Sequence, residues 1–106
     1  MSTTIELTAA DGHTLAGYAA GPENATRGLV VLQEIFGVNN HIRVMADSYA
    51  AAGYKVIAPA PFDRVEKNVE LGYGPDDRKR GVDIRGQITD EQALADILAA
   101  AKALNV

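Results

Sequence analysis

Cysteine and tryptophan are absent from this chain of 106 residues. Without cysteine there can be no disulfide, no thiolate nucleophile and no thiolate metal ligand. Histidine occurs only as His13 and His41, which are too far apart in sequence to form a ligand cluster, so no metal site is expected. No apolar run approaches the roughly 20 residues that span a bilayer. The polar, acidic start of the chain also lacks the basic-then-apolar pattern of a secretory signal. A cytoplasmic location is the resulting expectation. Positive charge is in short supply as well. Ten Lys and Arg stand against fourteen Asp and Glu, giving a net charge of −4 and a pI near 5.0, which argues against nucleic acid or an anionic membrane as partner. The only glycine-rich stretch, Gly72-Tyr73-Gly74-Pro75, has neither the lysine nor the following helix pattern of a phosphate loop. No cofactor is implied.

What is present reads as one small globular domain, with 47% hydrophobic and 23% charged residues. Thr3 to Thr8 alternates polar and apolar residues as a half-exposed strand does. Asp11-Gly12 signals a hairpin turn, and Thr14 to Ala20 supplies the second strand. Gly21-Pro22-Glu23-Asn24 breaks structure before an apolar run, read as a buried parallel strand, that begins at Gly28 and ends at Leu32 or Gln33. Asn39 is placed to cap a helix in which Ile42, Met45, Ala46 and Tyr49 recur at helical spacing, with Gly53 as its left-handed stop. Lys55 to Ala58 reads as a short fourth strand stopped by Pro59 and Pro61. Residues 60 to 88 read as a long loop with one helical turn around Asp77 to Val82. Thr89-Asp90-Glu91-Gln92 is a capping box, and Leu94, Ile97, Leu98, Ala101 and Leu104 form one apolar face of a final helix. An α/β pattern would next demand another strand, and the sequence stops there.

The segment Gly28-Leu29-Val30-Val31-Leu32-Gln33-Glu34-Ile35-Phe36-Gly37-Val38-Asn39 is the most informative. It runs from an apolar strand directly into a carboxylate and a turn ahead of a helix. The C-terminal end of a central strand is where open α/β sheets bind their ligands. Taken alone, Glu34 reads more readily as a solvated side chain at a strand exit.

Longer strings narrow the choice. Asp11-Gly12-His13-Thr14, Gln33-Glu34-Ile35-Phe36-Gly37-Val38-Asn39, His41-Ile42-Arg43, Ala52-Gly53-Tyr54 and Pro59-Ala60-Pro61-Phe62-Asp63-Arg64 together resemble the N-terminal half of the dienelactone hydrolase family, within the α/β-hydrolase fold. The resemblance covers essentially all of residues 1–106, read as a single incomplete α/β-hydrolase domain. It implies a three-layer partial sheet made of the first four strands and two main helices, in the order 1-2-4-3. The third strand would lie at an open edge. It implies hydrolysis of ester or lactone bonds in small carboxylated substrates.

By the same resemblance, Glu34 would help generate a cysteine thiolate and the Ile35 N–H would be an oxyanion-hole donor. Such a donor can be worth ~3 kcal/mol of barrier. Phe36 is a candidate for lining the substrate pocket or for filling the core. Arg80, with Arg78 and Arg85 as neighbours, is the candidate for the substrate carboxylate. Arg43 and the pair Asp63-Arg64 read as an ion pair and a turn closure.

The family's cysteine, Asp and His have no counterparts in the expected order. The serines, Ser2 and Ser48, lie outside any nucleophile turn, His13 falls in a hairpin and His41 at a helix start. The chain alone is therefore expected to be inactive. It is expected to form homo-oligomers, exchange elements or pair with a C-terminal half through the open edge. The alternative reading is a non-catalytic module that binds a ligand or a partner chain.

Overall fold

The computed structural model describes residues 2–106. The chain forms β1 (Ser2–Thr8), β2 (Thr14–Ala20), β3 (Gly28–Val30), α1 (Asn40–Ala51), β4 (Lys55–Pro59), a single 3-10 turn (Pro61–Arg64), α2 (Pro75–Arg85) and α3 (Asp90–Leu104). The sheet order is β1-β2-β4-β3, as the family resemblance implies. β1 pairs antiparallel with β2, β2 antiparallel with β4, and β4 parallel with β3.

Alternation along β4 creates the three layers, because successive strand residues face opposite sides. Val56 and Ala58 pack under α1 with Val31, Ile42 and Ala46. Ile57 faces the other way, into a cluster with Leu7, Leu15, Ala100 and Leu104 beneath α3. A third cluster of Phe62, Val69, Ile84 and Ile88 roots α2.

The local signals hold. Gly12, with φ +87°, turns the first hairpin, and its N–H donates to the Ala9 carbonyl at 2.9 Å. The Asn39 side chain accepts from the Ile42 N–H at 3.2 Å, capping α1. The helix ends in a Schellman arrangement around Gly53, φ +100°, with the Tyr54 N–H donating to Tyr49 and the Gly53 N–H to Ala50. Thr89 and Gln92 exchange hydrogen bonds of 3.0 and 3.1 Å as a capping box.

Three expectations are corrected. β3 is shorter than the apolar run: it spans Gly28–Val30, all half-buried, and Leu32 is 53% exposed. The Val31 N–H still donates to the Ile57 carbonyl at 3.0 Å, but the strand then leaves the sheet. Having only one neighbour, it is not enclosed as a central parallel strand would be. Arg27, Leu29 and Val31 turn their backbone groups toward β4, so those of Gly28, Val30 and Leu32 face the open edge.

Second, residues 75–85 are a full helix and not a loop with a turn. Gly74 stands at its N-cap and Pro75 opens it. Its exposed residues are almost all charged, which hid the periodicity, and only Gly81 and Ile84 are buried. Third, α3 buries Asp96, Ala100 and Leu104, while Leu94, Leu98 and Ala101 from the expected face are exposed. No helix among the described residues is long and apolar enough to cross a membrane.

Candidate active site

Beyond β3 the chain folds into a tight turn whose parts are held from several directions. The Gly37 N–H donates to the Glu34 carbonyl at 3.3 Å, and Gly37 adopts φ +80° against the Val69 carbonyl, which any Cβ would overlap. The Leu71 N–H donates to the Phe36 carbonyl at 2.9 Å, tying the turn to residues 70–71. Arg43 repeats the tie, donating to the Val38 carbonyl at 2.9 Å and pairing with Glu70 at 2.8 Å. Asn39 donates to the Tyr73 hydroxyl at 3.2 Å, and the Tyr73 ring meets Phe36 edge-on with centroids 4.5 Å apart. On the other side, Gly81 of α2 lies against the Ile35 carbonyl so closely that a Cβ would overlap its oxygen.

The result is a rigidly seated segment whose functional groups are left free. Among the described residues the Glu34 carboxylate has no hydrogen-bond or ion-pair partner, and the Ile35 N–H has no acceptor. Glu34 is exposed, Ile35 half-buried. Both border a cleft of about 320 Å³ whose other walls include Leu32, Phe62, Ile88 and Ile97, with Arg85 at its rim. An apolar cleft with a few convergent polar groups is the usual character of a small-molecule site.

The remaining predicted residues are placed as follows. Phe36 is buried against Tyr73 and does not line this cleft. Arg80 pairs with Glu66, which raises its pKa, and it also lies off the cleft, next to the Gly81 contact. Arg85 donates to the Ile88 carbonyl at 2.9 Å and pairs with the exposed Asp90 at 3.0 Å. His41 is exposed on the first turn of α1. No group of three or more His, Asp and Glu suited to a metal occurs among the described residues.

Asp63 and Arg64 turn out to be structural. The Asp63 carboxylate accepts from the Ala16 N–H at 2.8 Å. Arg64 makes two-pronged contacts on both sides, to Asp96 at 2.8 and 3.0 Å and to Asp11 at 2.7 and 3.1 Å. Its side chain is 8% exposed and that of Asp96 0%. The guanidinium holds the Asp11 carboxyl down at about 2, and the two carboxylates, Asp11 foremost, raise the Arg64 pKa. This cluster joins the first hairpin, the turn after β4 and α3. The sequence offers no local signal for it, because its members lie 53 and 32 residues apart.

The model of the dienelactone hydrolase family matches residues 15–106. This chain belongs to the dienelactone hydrolase family. It is 35% identical over 101 residues to a Synechocystis sp. protein that provisionally bears the name carboxymethylenebutenolidase, covering 93% of this chain and 41% of that one. Carboxymethylenebutenolidase 1 of Cupriavidus pinatubonensis is 26% identical over 102 residues, with 94% and 44% covered. A crystal structure from Klebsiella pneumoniae, described provisionally as a dienelactone hydrolase, superposes with a TM-score of 0.72 at 32% identity. It covers 99% of this chain and 44% of its own. The chain thus spans less than half the length of these relatives. The sheet seen here corresponds to a partial α/β-hydrolase fold.

Proposed function

We propose that this chain supplies one half of a hydrolase site for ester or lactone bonds in small carboxylated substrates. The observation that carries the reading is the seated Glu34-Ile35 turn, with its free carboxylate and free N–H beside the apolar cleft. In this reading a nucleophile from a complementary C-terminal half attacks the substrate carbonyl carbon. The Ile35 N–H donates to the oxygen that becomes negative. The carbon–oxygen bond of the ester breaks, the leaving oxygen takes a proton, and water then releases the acyl group from the nucleophile. Glu34 takes the proton from that nucleophile and passes it to the leaving oxygen. With no cysteine in 106 residues, the chain holds no thiol of its own.

For the substrate carboxylate, the position of Arg85 at the cleft rim favours it over Arg80, which is engaged with Glu66. Besides its bond to the Ile88 carbonyl, Arg85 has only the exposed Asp90 as a charged partner, a type of pair worth little in water. Exchanging that partner for a ligand carboxylate is therefore inexpensive.

The second reading is a non-catalytic module that associates through the β3 edge. The free backbone groups of Gly28, Val30 and Leu32 favour it, as do the exposed Leu94 and Leu98, 55% and 59% accessible, beside the cleft-lining Ile97. Association with a C-terminal half serves both readings, whereas self-association serves the module. An ester-hydrolysis assay separates the two. The chain alone is expected to be inactive, and the chain mixed with a cysteine-bearing C-terminal half of a family member is expected to hydrolyse a small carboxylated ester. Inactivity of the mixture, despite a complex in sedimentation, removes the hydrolase reading. Activity of the chain alone would contradict the account of the nucleophile.

A further inference from the structure

We infer that the Gln33 side chain is a positioning residue for the Ile35 N–H, working against a backstop formed by Gly81; this rests on the reading of that N–H as an oxyanion donor. In a planar trans peptide the C=O and N–H point in opposite directions, so whatever holds the Glu34 carbonyl also aims the Ile35 N–H. Two donors hold it: Gln33 Nε2 at 2.8 Å and the Gly37 N–H at 3.3 Å. The first is the shorter and stronger bond. The next peptide is held independently, because the Ile35 carbonyl rests on Gly81 where no Cβ stands in the way. Two consecutive peptide planes are thus fixed, one by a neighbouring side chain and one by a helix distant in sequence.

The Gln33 amide has only one workable orientation here. Exchanging its oxygen and nitrogen would set two acceptors, Oε1 and the Glu34 carbonyl, against each other. The observed orientation leaves Oε1 buried with no donor among the described residues. An unpaired buried acceptor lowers stability, and a side chain selected for packing alone would avoid it. The bond to the Glu34 carbonyl has a further effect. A hydrogen bond accepted by a peptide carbonyl polarises that peptide and strengthens its own N–H as a donor.

The test is nuclear magnetic resonance on the isotope-labelled chain. A scalar coupling across the hydrogen bond, from Gln33 Nε2 to the Glu34 carbonyl carbon, is expected, and its absence overturns the proposal. Q33M keeps length and bulk but loses the donor. The Ile35 amide proton should then move upfield, and its order parameter should fall from the rigid value of about 0.85 to below about 0.6. The amides of β1 and β2 should stay in place. Q33E cannot donate while ionised but regains a donor when protonated. Its Ile35 amide should return toward the wild-type position as pH falls through the ordinary glutamate range near ~4.3. A merely structural Gln33 would not produce that recovery. An Ile35 amide unchanged in Q33M, or no recovery in Q33E, overturns the inference. None of these measurements needs turnover, so loss of the hydrolase reading in the ester assay would leave them standing.

Discussion

Two polar regions of this molecule, one around Arg64 in the turn after β4 and one around Gln33 to Ile35 beyond β3, are built on opposite terms. Around Arg64 nearly every polar group is paired: a buried guanidinium faces two carboxylates, each held by two contacts. Around Gln33 to Ile35 the backbone is just as firmly seated, yet a carboxylate, an amide N–H and a buried amide oxygen have no partners among the described residues. A fully paired cluster serves the fold, because each partner offsets the desolvation of the other. A fixed but unpaired cluster gives up stability and keeps its groups available for something outside the chain. The comparison separates charges consumed by the fold from charges left free, with no reference to sequence family.

The sharpest way to break this contrast is to unpair the paired region. Asp96→Ala should leave the buried Arg64 guanidinium half compensated and cost about 3–5 kcal/mol in urea unfolding. The double change Arg64→Met with Asp96→Leu should recover most of that loss. If the double variant is no better than Asp96→Ala, the cluster does not act as a pair.

Next in size is Gly81→Ala. A glycine inside a helix normally gains about 1 kcal/mol when replaced by alanine. Here the added Cβ overlaps the Ile35 carbonyl, so a net loss of roughly 1–3 kcal/mol is expected. Gly86→Ala, whose Cβ would meet its nearest atoms at 3.5 and 3.6 Å, should be neutral or slightly stabilising. Thermal melts of the two variants decide the matter.

A smaller effect is acid dependence. Arg64 lowers the Asp11 carboxyl from 3.8 to about 2 in the folded chain. The pairing therefore stabilises the fold fully above pH ~4 and is lost as pH falls through about 2. Asp11→Asn should flatten that part of the stability–pH curve, measured as the urea midpoint between pH 5 and 2. An equally steep curve in the variant would place the acid sensitivity elsewhere.

The smallest change in stability is expected at Glu34. Glu34→Gln removes an exposed charge with no partner among the described residues, so the unfolding free energy should change by no more than about 0.5 kcal/mol. In the proposed complex with a C-terminal half, the same substitution should lower ester hydrolysis by about tenfold or more. A large loss of stability would move Glu34 into the structural class.

What could be read from the sequence, and what could not, divides along a similar line. The helix caps at Asn39 and Thr89, the Gly53 stop and the Gly12 turn were all legible, because each is a hydrogen bond or backbone angle contained within about five residues. So was the position of Glu34 and Ile35 at a strand exit, through the string around them. The full length of α2 was hidden, since its buried side is only Gly81 and Ile84 among charged neighbours. The inward face of α3 is hidden for a related reason. An alanine-rich helix with scattered leucines offers more than one apolar stripe. Which stripe turns inward was settled by Asp96 reaching Arg64 and by the small Ala100 fitting the sheet.

By itself, then, the sequence determined the local elements, the strand-exit motif and the family, because these depend on neighbours along the chain. Only the tertiary structure decided which charges are consumed by the fold and which stay free. It brought Asp11, Arg64 and Asp96 together across 53 and 32 residues, set Arg85 rather than Arg80 at the cleft, and seated Ile35 on Gly81. The physical reason is that pairing and desolvation are properties of groups brought together in space, and spacing along the chain does not encode them.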